Sequence, residues 1–120
     1  MLNGSFYHII DTHTTDGGIA VQMSFNPAHA IFGGHFPGQP VVPGVCLMQI
    51  AKEVLENAVA KQLQLKKADH LKFVMPIIPV NGEVLELKVK YLLIEESLYK
   101  VTATLSKDSV YFKFQGVFSL

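Results

Sequence analysis

Apolar residues recur at two different periods along this chain, and the changes of period divide it into elements. Residues 83–94 and 98–106 alternate apolar with polar, through Val84, Leu85, Leu87, Val89 and Tyr91, then Leu98, Tyr99, Val101, Ala103 and Leu105. A period of two predicts strands with one buried face. Glu95-Glu96-Ser97 links them, and Lys107-Asp108-Ser109 is the next turn before a last strand over 110–119. Residues 5–14 are rich in β-formers and read as a strand, Asp16-Gly17-Gly18 is a hairpin signal, and 19–25 is the returning strand. From Asn26 to Gly44 the chain reads as loop, with Pro27, Pro37, Pro40 and Pro43 excluding regular helix. Over 45–63 the spacing becomes three and four, through Val45, Met48, Ala51, Val54, Leu55, Ala58, Val59 and Leu63. That predicts one long helix, with Gly44 as its N-cap. Residues 70–75 read as a short strand, and Pro76 to Gly82 as a break. Two strands, a helix and about four more strands predict an α+β fold, one helix laid against a curved antiparallel sheet.

Composition narrows the picture. At 120 residues, without internal repeat or linker, one domain spanning 1–120 is expected. A hydrophobic fraction of 49% against 17% charged favours a well-buried fold and hints that a second copy covers some apolar surface. Net charge is zero and all ten cations are lysines, which argues against nucleic-acid binding, where guanidinium forks are favoured. The lone Cys46 allows no intramolecular disulfide, and a cytoplasmic location is expected. Residues 1–8 show neither a basic nor an apolar leader region, and no run reaches the ~18 apolar residues of a membrane span.

The segment with most chemistry is 32–44, Phe-Gly-Gly-His-Phe-Pro-Gly-Gln-Pro-Val-Val-Pro-Gly. Three prolines and four glycines frame one histidine, His35, immediately before the helix. A histidine moves protons near neutral pH, and a helix N-terminus offers unpaired N–H donors to developing negative charge. The other histidines carry less. His29 reads as a surface residue, and His8, His13 and His70 lack partners at metal-ligand spacing, so no metal site is expected. Cys46 reads as a packed small hydrophobe.

The run Gly34 to Val45 resembles the signature of the hot-dog-fold 3-hydroxyacyl-(acyl-carrier-protein) dehydratases of fatty acid synthesis. Lys72-Phe73-Val74-Met75-Pro76-Ile77-Ile78-Pro79 and the element order are similar to that family as well. The resemblance implies a hot-dog fold of five to six strands around a central helix. It also implies a homodimer or higher homo-oligomer with sites at the interface. The implied substrate is an acyl thioester on the phosphopantetheine of an acyl carrier protein, with no further cofactor. Its implied reaction removes water across Cα–Cβ to give a trans-2-enoyl thioester. On that reading His35 is the base and the Gly44 N–H the donor to the thioester oxygen. Phe36, Pro43, Gly44 and Val45 contact substrate. The family carries Glu or Asp five residues after the glycine matching Gly44; this chain has Gln49, which cannot act as an acid. Glu53, one turn on along the same face, is a candidate relocated acid. The resemblance also implies basic residues facing the carrier. Val74 and Met75 stand where they are common, leaving Lys66, Lys67, Lys72 and Lys113 to supply that charge. Three functions follow: a dehydratase with Gln49 aligning a hydroxyl or water, a non-catalytic subunit that binds acyl carrier or completes a homologue's site, and an acyl thioesterase.

Overall fold

The structure, a computed structural model, describes residues 2–34 and 40–120. Six strands form one antiparallel sheet in the order β1-β2-β4-β5-β6-β3. β1 (Tyr7–Thr15) and β2 (Gly18–Phe25) make the expected hairpin, with Thr15 opposite Gly18. Gly17 turns at φ 79°, a left-handed conformation that favours glycine. Gly18 is needed for a different reason: a Cβ there would strike the Val89 carbonyl on β4. β4 (Leu85–Glu95), β5 (Leu98–Ser106) and β6 (Val110–Ser119) follow the alternation closely. Leu85, Leu87, Val89, Val101, Ala103, Leu105, Phe112, Phe114 and Phe118 all face the core.

Three elements depart from the sequence expectation. A short helix, α1 (Ala30–Gly34), interrupts the stretch read as loop. It fits between prolines, and Phe32 anchors it by stacking on Phe6 at 5.0 Å between ring centroids. His29 is half-buried rather than a surface residue. Its Nδ1 accepts the Ile31 N–H at 3.1 Å, and its ring meets Phe6 edge-on at 5.3 Å.

The long helix, α2, spans Gly44–Val59. Pro43, not Gly44, holds the cap position. The helix ends four residues early at Ala60, which turns left-handed at φ 57° and ψ 41°. Glu56 secures this end, its Oε2 accepting the Leu63 N–H at 2.8 Å. The buried face is Cys46, Leu47, Ile50, Ala51, Val54 and Leu55, rotated from the stripe that the spacing suggested. Val45 is 79% exposed. Positions 46–47 and 50–51 are all buried in the core, so the apolar face is wider than a three-four count selects.

β3 (Gln64–Phe73) starts six residues before the short strand expected at 70–75. It pairs only with β6 and is exposed along its whole length. An edge strand with no buried face has no reason to alternate, and its register shifts at Leu65/Lys67 and Ala68/His70. No helix among the described residues is long and apolar enough to cross a membrane.

Candidate active site

The start of α2 offers donors that the described residues do not use. The Pro43 carbonyl accepts from Cys46 N–H at 3.0 Å and Leu47 N–H at 3.3 Å. The N–H groups of Gly44 and Val45 lie before the first intrahelical bond and at the positive end of the helix dipole. Beside them opens a mostly apolar groove of about 410 Å³, lined by segments 41–44 and 73–77 with Leu47. Val42 N–H donates to the Ile77 carbonyl at 2.8 Å and ties these two segments together. Phe73, at the end of β3, sets the groove's width. Its ring stacks on Phe112 at 5.4 Å, and a Cβ on Gly44 would come within 2.6 Å of its Cζ. Glycine at 44 therefore admits the aromatic wall.

Gln49 and Glu53 are in direct contact, one turn apart. Gln49 Nε2 donates to Glu53 Oε2 at 2.9 Å. Glu53 is buried and accepts three more hydrogen bonds. Leu2 N–H reaches Oε2 at 2.8 Å, Asn3 N–H reaches Oε1 at 2.9 Å, and the Tyr7 hydroxyl reaches Oε1 at 3.1 Å. Burial pushes the Glu53 carboxyl up, but these four donors outweigh it and hold the group below the usual carboxylate range. In this arrangement Glu53 is an ionised acceptor with no proton to give, which is not the state of a relocated acid. Tyr7 is shifted the other way. Burial, the Glu53 charge and the hydrogen bond to it all keep the phenol protonated. Burial likewise raises the Cys46 thiol, which suits a packed hydrophobe.

Pro43 and Gly44 thus line the groove, whereas Val45 stands outside its lining. Glu53 borders a separate cavity of about 180 Å³ with Asn3, Tyr7 and Glu56. His35 and Phe36 lie outside the described residues. Lys72 and Lys113 sit directly opposite each other on β3 and β6, and Lys67 pairs with Asp69 at 3.0 Å. Two participants had not stood out from the sequence. Phe73 read as an ordinary strand residue. Tyr7 left one usable signal, since a buried tyrosine hydroxyl needs a polar partner.

A six-stranded antiparallel sheet around one long helix, with an apolar groove at the helix start, defines a hot-dog fold. The chain belongs to the ApeI-like dehydratase family, whose model, described as ApeI dehydratase, matches residues 11–110. Among its relatives are enzymes named 3-hydroxyacyl-(acyl-carrier-protein) dehydratase FabZ. That of Wolbachia sp. subsp. Drosophila simulans is 27% identical over 98 residues, 73% of this chain and 65% of the relative. That of Pseudoalteromonas translucida is 32% identical over 87 residues, 65% of this chain and 57% of the relative. The chain therefore spans about three fifths of these relatives' length. In fold it is similar to a chain of the dehydratase heterocomplex ApeI:P from Xenorhabdus doucetiae. The TM-score is 0.75 at 22% identity, covering 93% of this chain and 96% of that one. It is also similar to the (R)-hydratase from A. caviae involved in PHA biosynthesis. There the TM-score is 0.65 at 15% identity, covering 90% and 98%.

Proposed function

We propose that this chain dehydrates a 3-hydroxyacyl thioester, carried on the phosphopantetheine of an acyl carrier protein, to the trans-2-enoyl thioester. The observation that carries this reading is the mostly apolar groove at the start of α2, beside the N–H groups that precede the first intrahelical bond. The family match and the names of the relatives point the same way. The thioester oxygen accepts from the Gly44 N–H, which stabilises the enolate-like charge as Cα loses its proton. His35 takes that proton as general base. The Cβ–O bond then breaks, and the same proton passes from His35 to the departing hydroxyl, which leaves as water. No separate acid is consumed. Gln49 orients the hydroxyl or the water. Phe36 and Pro43 contact the acyl chain, and Val45 lies at the mouth. The working unit is a cytosolic dimer joined along the exposed β3 edge, with Lys72 and Lys113 toward the carrier.

The contact of Gln49 with Glu53 favours a second reading. A wall whose carboxylate is fully engaged suits a subunit whose acid comes from a homologous partner, and the structurally similar ApeI:P is a heterocomplex. One assay separates the two. The purified chain is incubated with a 3-hydroxyacyl carrier protein, and enoyl absorbance is followed. Product from the wild type and none from His35→Ala supports the first reading. Product only after adding a homologous dehydratase subunit supports the second. Release of free thiol without enoyl product would overturn both in favour of thioester hydrolysis.

A further inference from the structure

We propose that Glu53 is a positioning residue that fixes the polarity of the Gln49 amide, so that the subunit presents a hydrogen-bond acceptor and selects substrates carrying a donor at Cβ. The inference rests on the functional reading above and adds a specificity to it.

A glutamine amide has a donor end and an acceptor end, and it reverses by a half-turn of one torsion. Glu53 removes that freedom. An ionised carboxylate only accepts, so the Gln49 NH₂ must face it, as the 2.9 Å contact records. Among the described residues no donor meets the carbonyl on the other arm, which is then the end turned toward a ligand. Glu53 is itself fixed. Its Oε1 is held by Asn3 N–H and the Tyr7 hydroxyl, and its Oε2 by Leu2 N–H beside Gln49. Backbone N–H groups cannot reverse, so two of the four donors impose acceptor character on both oxygens. The segment from Leu2 to Tyr7 is therefore part of the site's construction, although it lies outside the groove's lining.

The chemical consequence is a choice between oxidation states at Cβ. A 3-hydroxyl donates to the Gln49 carbonyl. A 3-oxo group only accepts, and would set two carbonyl oxygens against each other. A site built around a donor rejects the analogue that lacks it. From the usual worth of one net hydrogen bond, the preference is about three- to tenfold.

The test has two readouts on the full chain. The first is the nuclear magnetic resonance signal of the Gln49 side-chain amide. Bonded to a carboxylate, one of its protons should lie downfield and exchange slowly relative to exposed Gln62, and Glu53→Leu should abolish both features. The second is binding of non-hydrolysable 3-hydroxyacyl and 3-oxoacyl pantetheine analogues of equal length. Wild type should favour the hydroxy form by about three- to tenfold, and Glu53→Leu should bind both alike. If Glu53→Leu does not fold, Glu53→Gln replaces the obligate acceptor with an amide that can face Gln49 by either end, and it should narrow the preference; an unchanged preference in Glu53→Gln overturns the proposal equally. A Gln49 amide indistinguishable from that of Gln62 overturns the proposal, as does an unchanged preference in folded Glu53→Leu. If neither analogue binds wild type, the functional reading and the selectivity fail together, while the amide signal still decides the Glu53 assignment.

Discussion

Glu53 concentrates four hydrogen bonds on one buried carboxylate, and its behaviour with pH follows from their sign. Its folded-state pKa lies below the ordinary value of 4.5, so unfolding takes up a proton in the interval between the two. The stability it contributes is full above pH 4.5 and falls as pH drops through the folded value. Tyr7 is raised above its ordinary 10.0, so its contribution is full below pH 10 and falls above it. Glu53→Gln must set an amide NH₂ against Leu2 N–H or Asn3 N–H, leaving one backbone donor unpaired. We expect it to unfold at lower urea at pH 7, by about 1–3 kcal/mol. That gap should close as pH falls below 4.5. A gap independent of pH would show that the carboxylate is not ionised in the fold. Gln49→Glu brings two carboxyls together where they cannot both ionise, so one pKa rises and a protonated acid stands beside the hydroxyl. We expect enoyl formation about tenfold faster or more, with the gain lost at alkaline pH. The sequence placed the Gln49–Glu53 pair on one helix face correctly. The partners Leu2, Asn3 and Tyr7 were not legible, because a contact across roughly fifty residues leaves no local spacing.

At the scale of elements, legibility followed burial. β4 and β5 each have one face in the core, so their alternation predicts them, and the Lys107-Asp108-Ser109 turn predicts β6 after them. β3 has no buried face, and its first six residues, around Lys66-Lys67, carry no strand signal. In α2 the N-cap, the last turn and the buried face all differ from what the spacing predicts. Pro43 supplies no side-chain cap, and the left-handed turn falls on Ala60 rather than on a glycine. The fit of Gly44 under Phe73 joins two elements that the sequence keeps nearly thirty residues apart, and it makes a sharp prediction. Gly44→Ala must swing the far end of the Phe73 ring, which is half exposed, so stability should change by less than about 1 kcal/mol. The groove, however, loses its wall. Acyl-pantetheine binding should weaken several-fold while urea unfolding stays near wild type. A large loss of stability with binding intact would contradict this account of the glycine.

For the whole molecule, the exposed apolar residues gather at the edge where the proposed dimer would pair. Leu65, Leu71 and Phe73 on β3 are 44–50% exposed, and the adjoining Val74 and Met75 are similarly bare. A long exposed edge of this kind invites pairing with another strand. We expect sedimentation velocity to show a dimer, and Leu65→Glu with Leu71→Glu to shift it toward monomer. A wild-type monomer at micromolar concentration would rule out the β3 interface. The resemblance in residues 34–45 led to the fold because a run so rich in glycine and proline is specific as a sequence pattern. It could not decide the reaction, because position 49 departs from the pattern. The most direct measurement is therefore enoyl-thioester formation by the purified chain alone from a 3-hydroxyacyl carrier protein. The account predicts an absorbance rise that His35→Ala abolishes. A wild-type chain that binds the acyl carrier yet forms no enoyl product, or an undiminished rate in His35→Ala, would contradict it.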